Sequence, residues 1–101
     1  MTFRKELPAG ITNEAVGHRN QLGIIADILT VAMGEPLKTH IMYRANLSHG
    51  QLKSYLHSLL EMGFLAVVEY PMDARSRYRV TEKGLQFLRD YARLNLSLIH
   101  I

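Results

Sequence analysis

From His18 to Met33 the apolar residues return at three- and four-residue intervals. Leu22, Ile25, Leu29 and Ala32 trace one stripe, and Ile24, Ile28 and Val31 widen it. That period predicts an amphipathic helix. Gly34 is a suitable stop, and Pro36 prevents continuation. A short helix is expected from Thr39 to Ala45, capped by Thr39, with Ile41, Met42 and Ala45 turned inward and Asn46 ending it. The next start carries the clearest local signal. Ser48 with Gln51 three residues on makes a capping box, and Leu47 with Leu52 makes a hydrophobic staple. Leu52, Tyr55, Leu56, Leu59 and Leu60 then share one face, and Gly63 suits a left-handed end.

Beyond Gly63 the period changes. Phe64 to Tyr70 is rich in valine and aromatics and reads as a strand, and Pro71-Met72-Asp73-Ala74 reads as a turn. From Arg75 to Val80 the chain alternates. Tyr78 and Val80 fall on one face, and Arg77 and Arg79 on the other, so a second, antiparallel strand is expected. Thr81 caps a last helix, with Val80 and Leu85 placed as a second staple. In it Leu85, Leu88, Tyr91 or Ala92, and Asn95 or Leu96 recur at nearly heptad spacing, a stripe suited to this domain or to a second copy. The order is three helices, strand, turn, strand, helix: mainly α with a small β-hairpin, an α+β class.

Residues 1–17 hold Pro8, Gly10 and Gly17 without sustained periodicity and read as an arm or irregular lead-in. A basic arm can enter a minor groove. Here Arg4 and Lys5 lie beside Glu6, which favours a frayed terminus. Residues 18–81 form the main domain, and residues 82–101 an added helix. The last six residues, Leu96-Ser97-Leu98-Ile99-His100-Ile101, match one translated frame of a transposon-end sequencing adapter. On that reading residues 96–101 are not native; on the other they are an apolar helix end.

Composition narrows the class. With 101 residues, 48% hydrophobic and 21% charged, the chain is an ordinary globular sequence of one-domain size. It has no cysteine, which excludes disulfides and thiolate metal sites and fits a reducing cytosol. No stretch approaches the roughly 20 apolar residues of a membrane span, and residues 1–10 lack the apolar core of a secretory signal. A soluble, cytoplasmic protein is expected. His40, His49 and His57 lack ligand-pair spacing, so no metal is expected. There is no Gly-rich phosphate loop, nucleophile elbow or framed carboxylate pair. Neither an enzyme nor a cofactor is expected.

The net charge is only +3, but its distribution is uneven. Between Glu35 and Glu61 there is no acid, while Lys38, Arg44 and Lys53 fall there with three histidines. Ala74 to Thr81 is also acid-free and holds Arg75, Arg77 and Arg79. Such segregation is the footprint of a nucleic-acid-binding face. At 100° per residue the third helix turns Gly50, Ser54 and His57 away from its apolar side, with Gln51 and Lys53 flanking. A small, polar, basic N-terminal half is what a recognition helix needs. Gln51 suits adenine, and Lys53 suits guanine or a phosphate. Arg75 and Arg77, on the arm of the hairpin, suit phosphates or the minor groove. Arg79, nearer the body, suits either that role or an ion pair with Glu69.

Five segments carry a family resemblance: Ile24-Ile25-Ala26-Asp27-Ile28-Leu29; Lys38-Thr39-His40-Ile41-Met42-Tyr43-Arg44-Ala45-Asn46-Leu47-Ser48; Leu52-x-x-Tyr55-Leu56; Met62-Gly63-Phe64-Leu65; and Tyr78-Arg79-Val80-Thr81-Glu82-Lys83-Gly84. Together, over residues 20 to 94, the chain resembles archaeal winged helix-turn-helix proteins, in particular the small basic dimeric DNA-binding proteins of the crenarchaeal "ten-a" type. The resemblance implies duplex DNA binding, as a nucleoid-associated chromatin component or a transcription regulator, and a long C-terminal helix that pairs two chains as a homodimer. Carried over by position, the implied DNA face is Lys38, Tyr43, Arg44, His49, Gln51, Lys53, Ser54, Arg75 and Arg77. The implied dimer contacts are Leu85, Leu88, Tyr91 and Ala92. The last helix is short or truncated here, which leaves the dimer geometry open. The competing reading is a winged helix used as a protein-interaction module. Such a module usually exposes apolar anchors on its third helix, where this chain has Gly50, Ser54 and His57.

Overall fold

The structure, a computed structural model, describes residues 20–99, with side chains up to residue 94. The expected arm, residues 1–17, and the expected helix start at His18 lie outside the described residues. Helix α1 runs Gln21–Val31 and continues as a 3-10 turn over Ala32–Gly34. Its cap is Asn20, whose Oδ1 accepts the Gly23 N–H at 2.7 Å. The helical run ends at Gly34, the expected stop, and the chain leaves it through Glu35, which is left-handed (φ 52°).

Helix α2 spans Lys38–Arg44, one residue earlier than expected at each end. Thr39 does not cap it. The cap position is Leu37, which offers no side-chain bond. Tertiary pairing sets this start instead: Leu37 bridges Arg77, and the Tyr78 N–H donates to the Pro36 carbonyl at 3.0 Å. At the far end Asn46 adopts φ 57°; the Leu47 N–H bonds the Met42 carbonyl and the Asn46 N–H bonds that of Tyr43. These two bonds form a Schellman motif and close the tight turn into the next helix.

Helix α3 covers His49–Glu61 and carries the expected capping box in full. It ends in a second Schellman motif, with Gly63 at φ 79° and Phe64 N–H bonded to the Leu59 carbonyl at 2.9 Å. Strands β1 (Leu65–Val68) and β2 (Arg77–Val80) pair antiparallel, with Leu65 opposite Val80 and Val68 opposite Arg77. Both strands are shorter than expected, because residues 69–76 form a loop around the turn in which the Asp73 N–H bonds the Tyr70 carbonyl at 3.0 Å.

Helix α4, Glu82–Ile99, begins where expected. The Thr81 hydroxyl accepts the Gly84 N–H at 3.1 Å and donates to the Gly63 carbonyl at 2.6 Å. The backbones approach so closely here that a Cβ on Gly84 would lie 2.5 Å from the Phe64 carbonyl oxygen. Among the described residues no helix is long and apolar enough to cross a membrane.

All these elements enclose one core. Ile28, Leu29, Ile41, Leu52 and Leu59 are its most deeply buried large side chains, joined by Ile25, Ala32, Ala45, Leu47, Leu56, Leu65 and Val80. The first turns of α4 pack on it through Leu85, Phe87 and Leu88. Phe87 also lies 5.5 Å from the Phe64 ring and stacks on Tyr91 at 6.1 Å. The apolar stripe of α4 thus starts as part of its own domain, and Leu94 further along is 52% exposed.

Candidate nucleic-acid interface

The outer face of α3 follows from its inner one. Leu52, Leu56 and Leu59 anchor the helix, so His49, Gly50, Gln51, Lys53, Ser54 and His57 are turned to solvent. A Cβ at Gly50 would meet nothing within 4 Å, so this stretch of the helix is open to a close approach. Gln51 is in part committed: its Oε1 accepts the Ser48 N–H at 2.9 Å, while its own N–H bonds Ser48 Oγ at 3.2 Å. Reading adenine with two bonds requires both ends of the amide. In the free protein the Oε1 end already accepts one bond, and its second lone pair remains for a ligand.

Tyr43 and Arg44, at the end of α2, both point into solvent, Tyr43 with 84% of its surface exposed. Lys38, at the other end of α2, faces the hairpin across a groove of about 540 Å³, lined by Leu37, Lys38, Thr39, Arg75, Ser76 and Tyr78. The fold therefore brings two of the expected cations, Lys38 and Arg75, to one groove. Four more of the expected residues, His49, Gln51, Lys53 and Ser54, share the N-terminal outer face of α3.

The three wing arginines are not equivalent. Asp73 organises the tip: its Oδ1 accepts the Arg75 N–H at 3.0 Å and Arg75 Nε at 3.2 Å, and its Oδ2 accepts Arg77 Nε at 3.1 Å. These bonds, the Arg75 N–H first, hold the Asp73 carboxyl below its ordinary pKa. The Arg75 side chain is 66% exposed, that of Arg77 only 30%. Arg77 also donates from Nη1 to the Glu35 carbonyl at 3.1 Å, so its guanidinium braces the hairpin. Arg79 does not pair with Glu69. Its Nε bonds Glu35 Oε2 at 2.9 Å, and the Tyr70 hydroxyl donates to Glu35 Oε1. The bond from Tyr70, then that from Arg79, lowers the Glu35 pKa, and Glu35 in turn raises those of Tyr70 and Arg79.

Glu35, Tyr70 and Asp73 are site residues that the sequence reasoning missed. Asp73 had a usable signal, a turn aspartate two residues before an arginine. Glu35 had none, because its partners lie 35 to 44 residues away. Met72, at the wing tip, is 97% exposed. Among the described residues no group of three His, Asp or Glu side chains is placed to hold a metal ion.

A family profile described as winged helix-turn-helix matches residues 18–98. No curated protein matches the chain. Among solved structures, the fold is similar to that of Sso10a-2, a DNA-binding protein from Sulfolobus solfataricus, with 23% identity and a TM-score of 0.64 over 81% of this chain and 87% of that one. It is similar to the PcaV transcriptional regulator of Streptomyces coelicolor, solved with its natural ligand, with 25% identity and a TM-score of 0.59 over 75% of this chain. It is also similar to Streptococcus pneumoniae FabT in complex with DNA, with 16% identity and a TM-score of 0.63 over 78% of this chain. The chain spans 59% of the length of PcaV and 55% of FabT.

Proposed function

Since the chain belongs to the winged helix-turn-helix family, we propose that it binds double-stranded DNA as a homodimer, acting as a transcription regulator or chromatin component. The N-terminal half of α3 enters the major groove, with His49, Gln51, Lys53 and Ser54 at the base edges and nearby phosphates. Lys38 and Arg75 hold backbone on either side of the groove between α2 and the wing. Tyr43 and Arg44 extend the contact along α2. Arg77 contributes as a brace for Arg75 more than as a phosphate ligand. The observation that carries this reading is one of charge and exposure: no acid falls between Glu35 and Glu61, and Lys38, Arg44 and Lys53 are all exposed. The description of Sso10a-2 as DNA-binding and of FabT as a DNA complex supports it.

The proposed dimer forms along α4. Leu85 and Leu88 are partly used by the chain's own core, so the contact is completed by Tyr91, Ala92 and Leu94. Leu94→Asp, at an exposed position, should give a folded monomer in sedimentation; an unchanged mass would place the interface elsewhere.

The decisive experiment titrates a mixed-sequence duplex at several salt concentrations, with the Lys53→Ala/Arg75→Ala variant beside the parent. A log–log salt slope of about −4 per protomer is expected if four or five phosphates are neutralised, and the variant should bind weakly. A folded parent that ignores the duplex at low salt would end the DNA reading and move the search to protein partners. Competition between duplexes then separates the two roles: a regulator prefers its sites by roughly a thousandfold or more, whereas a chromatin component binds nearly uniformly.

A further inference from the structure

Glu35 sits where a glycine or asparagine would be ordinary. Its backbone is left-handed (φ 52°, ψ 58°), a conformation uncommon for other residues. The preceding Gly34, by contrast, has no positive φ. Strain of this kind persists only where the surroundings over-determine it, and here they do. Both carboxylate oxygens are engaged, one by the Tyr70 hydroxyl and the other by Arg79 Nε at 2.9 Å. The main-chain carbonyl accepts Arg77 Nη1 at 3.1 Å. The next two residues continue the attachment, Pro36 through its carbonyl to the Tyr78 N–H and Leu37 through its bridge to Arg77.

One residue therefore ties both limbs of the wing, Tyr70 after β1 and Arg77 and Arg79 in β2, to the connection between α1 and α2. That connection leads directly into Lys38, which shares a groove with Arg75. Glu35 is thus one of the fastenings between the wing that carries Arg75 and the connection that leads to Lys38. We infer that Glu35 is a positioning residue for duplex binding: it holds the wing at the angle that lets Arg75 and Lys38 grip the same duplex, without touching DNA itself. This rests on the DNA-binding reading proposed above.

Charge alone predicts the opposite behaviour. Glu35 is an anion beside a basic face, and removing it should tighten duplex binding and steepen the salt dependence. A positioning role predicts weaker binding. The sign of the effect therefore separates the two accounts.

The test is a double-mutant cycle on the intact chain with a fluorescent mixed-sequence duplex: parent, Glu35→Gln, Arg75→Ala and both together. Glu35→Gln should lose about three- to tenfold in affinity and flatten the salt slope by about one unit, as loss of one phosphate contact does. In the Arg75→Ala background it should add almost nothing, because both changes remove the same contact. Tyr70→Phe removes one fastening and leaves the carboxylate with Arg79, so it should give a smaller loss of the same sign. Thermal melts of each variant show the fraction folded at the assay temperature. Parent-like or tighter binding by Glu35→Gln, or a loss fully additive with that of Arg75→Ala, overturns the inference and leaves the DNA reading standing. A folded parent that does not bind the duplex overturns both.

Discussion

Helix α3 and the wing are two parts of the proposed DNA face, and they are built by opposite means. The start of α3 is held by partners three residues apart: Ser48 and Gln51 exchange bonds. Leu47 and Leu52, flanking the cap, are both buried. The wing tip has short-range bonds of its own through Asp73, but its attachment to the body is held by partners far apart in sequence, with Glu35 bonded to Tyr70 and Arg79 across 35 and 44 residues. A locally coded element is specified before the chain has folded. A tertiarily coded one exists only after the body has formed, and its geometry depends on distant residues. Variants in α3 should therefore act through the stability of the whole domain or through direct contact. Variants at the wing should act through orientation.

The largest test of this contrast is Leu52→Ala. Leu52 is 1% exposed and central to the core under α3. The change should cost about 2–5 kcal/mol in denaturant unfolding, with the wing and body lost together. A wing that survived the melting of α3 would show that the two regions are separable.

Next comes Gly84→Ala, at the seam between the regions. The new methyl would meet the Phe64 carbonyl oxygen and the Val80 side chain, at 2.5 and 2.7 Å. The backbone at the end of α3 and the first turn of α4 must part, at a cost of about 1–3 kcal/mol. An unchanged melting temperature would mean that this contact is softer than its geometry indicates. Smaller still is Ser48→Ala, which deletes one half of the capping box and should cost about 1 kcal/mol. Its effect on DNA affinity, measured well below the melting temperature, should be slight. A large loss there would give the Ser48 hydroxyl a direct role.

The same contrast explains what was legible in the sequence. The capping box at Ser48, the left-handed Gly63 and the Thr81 cap all rest on residues within one turn of each other, and each is found where the residues imply it. The expected cap at Thr39 failed because Leu37 is drawn into an extended pairing with Arg77, so α2 starts where the sheet edge releases it. For Arg79 the residues offered phosphate contact or a pair with Glu69, and its actual partner, Glu35, is remote in sequence and near only in the fold. Alternation put Arg77 and Arg79 on one face correctly, but it could not tell a brace from a free cation. That distinction depends on where Asp73 and the Glu35 carbonyl lie. The apolar stripe of α4 was legible as a stripe, while the share taken by its own core, through Phe87 as well as Leu85 and Leu88, depends on how the helix docks.

The smallest expected effect is also specific to the wing. Glu35 and Asp73 both have folded pKa values below their ordinary ones, 4.5 and 3.8. Glu35 is lowered chiefly by the Tyr70 hydroxyl and then Arg79, Asp73 by the Arg75 N–H and side chain. A carboxyl with a depressed folded pKa stabilises the native state fully above its unfolded value, and that contribution is lost as pH falls through the folded one. Acidification below about pH 4.5 should thus loosen the wing, Glu35 and Asp73 each losing its hold as it protonates. Both groups are only half-buried, with side chains 30% and 21% exposed, so the effect is modest and screened by salt. The N-terminal half of α3 carries no carboxylate, and its cap should be indifferent to this range. Amide hydrogen exchange across an acid series reads the two regions separately. The Tyr78 N–H, bonded to the Pro36 carbonyl, should lose protection in acid, while the Leu52 N–H, bonded to that of Ser48, should follow only the domain as a whole. In Glu35→Gln the Tyr78 amide should already exchange faster at neutral pH and respond less to acid. Equal acid sensitivity of the two amides in the parent would mean that the wing is not fastened through these carboxylates.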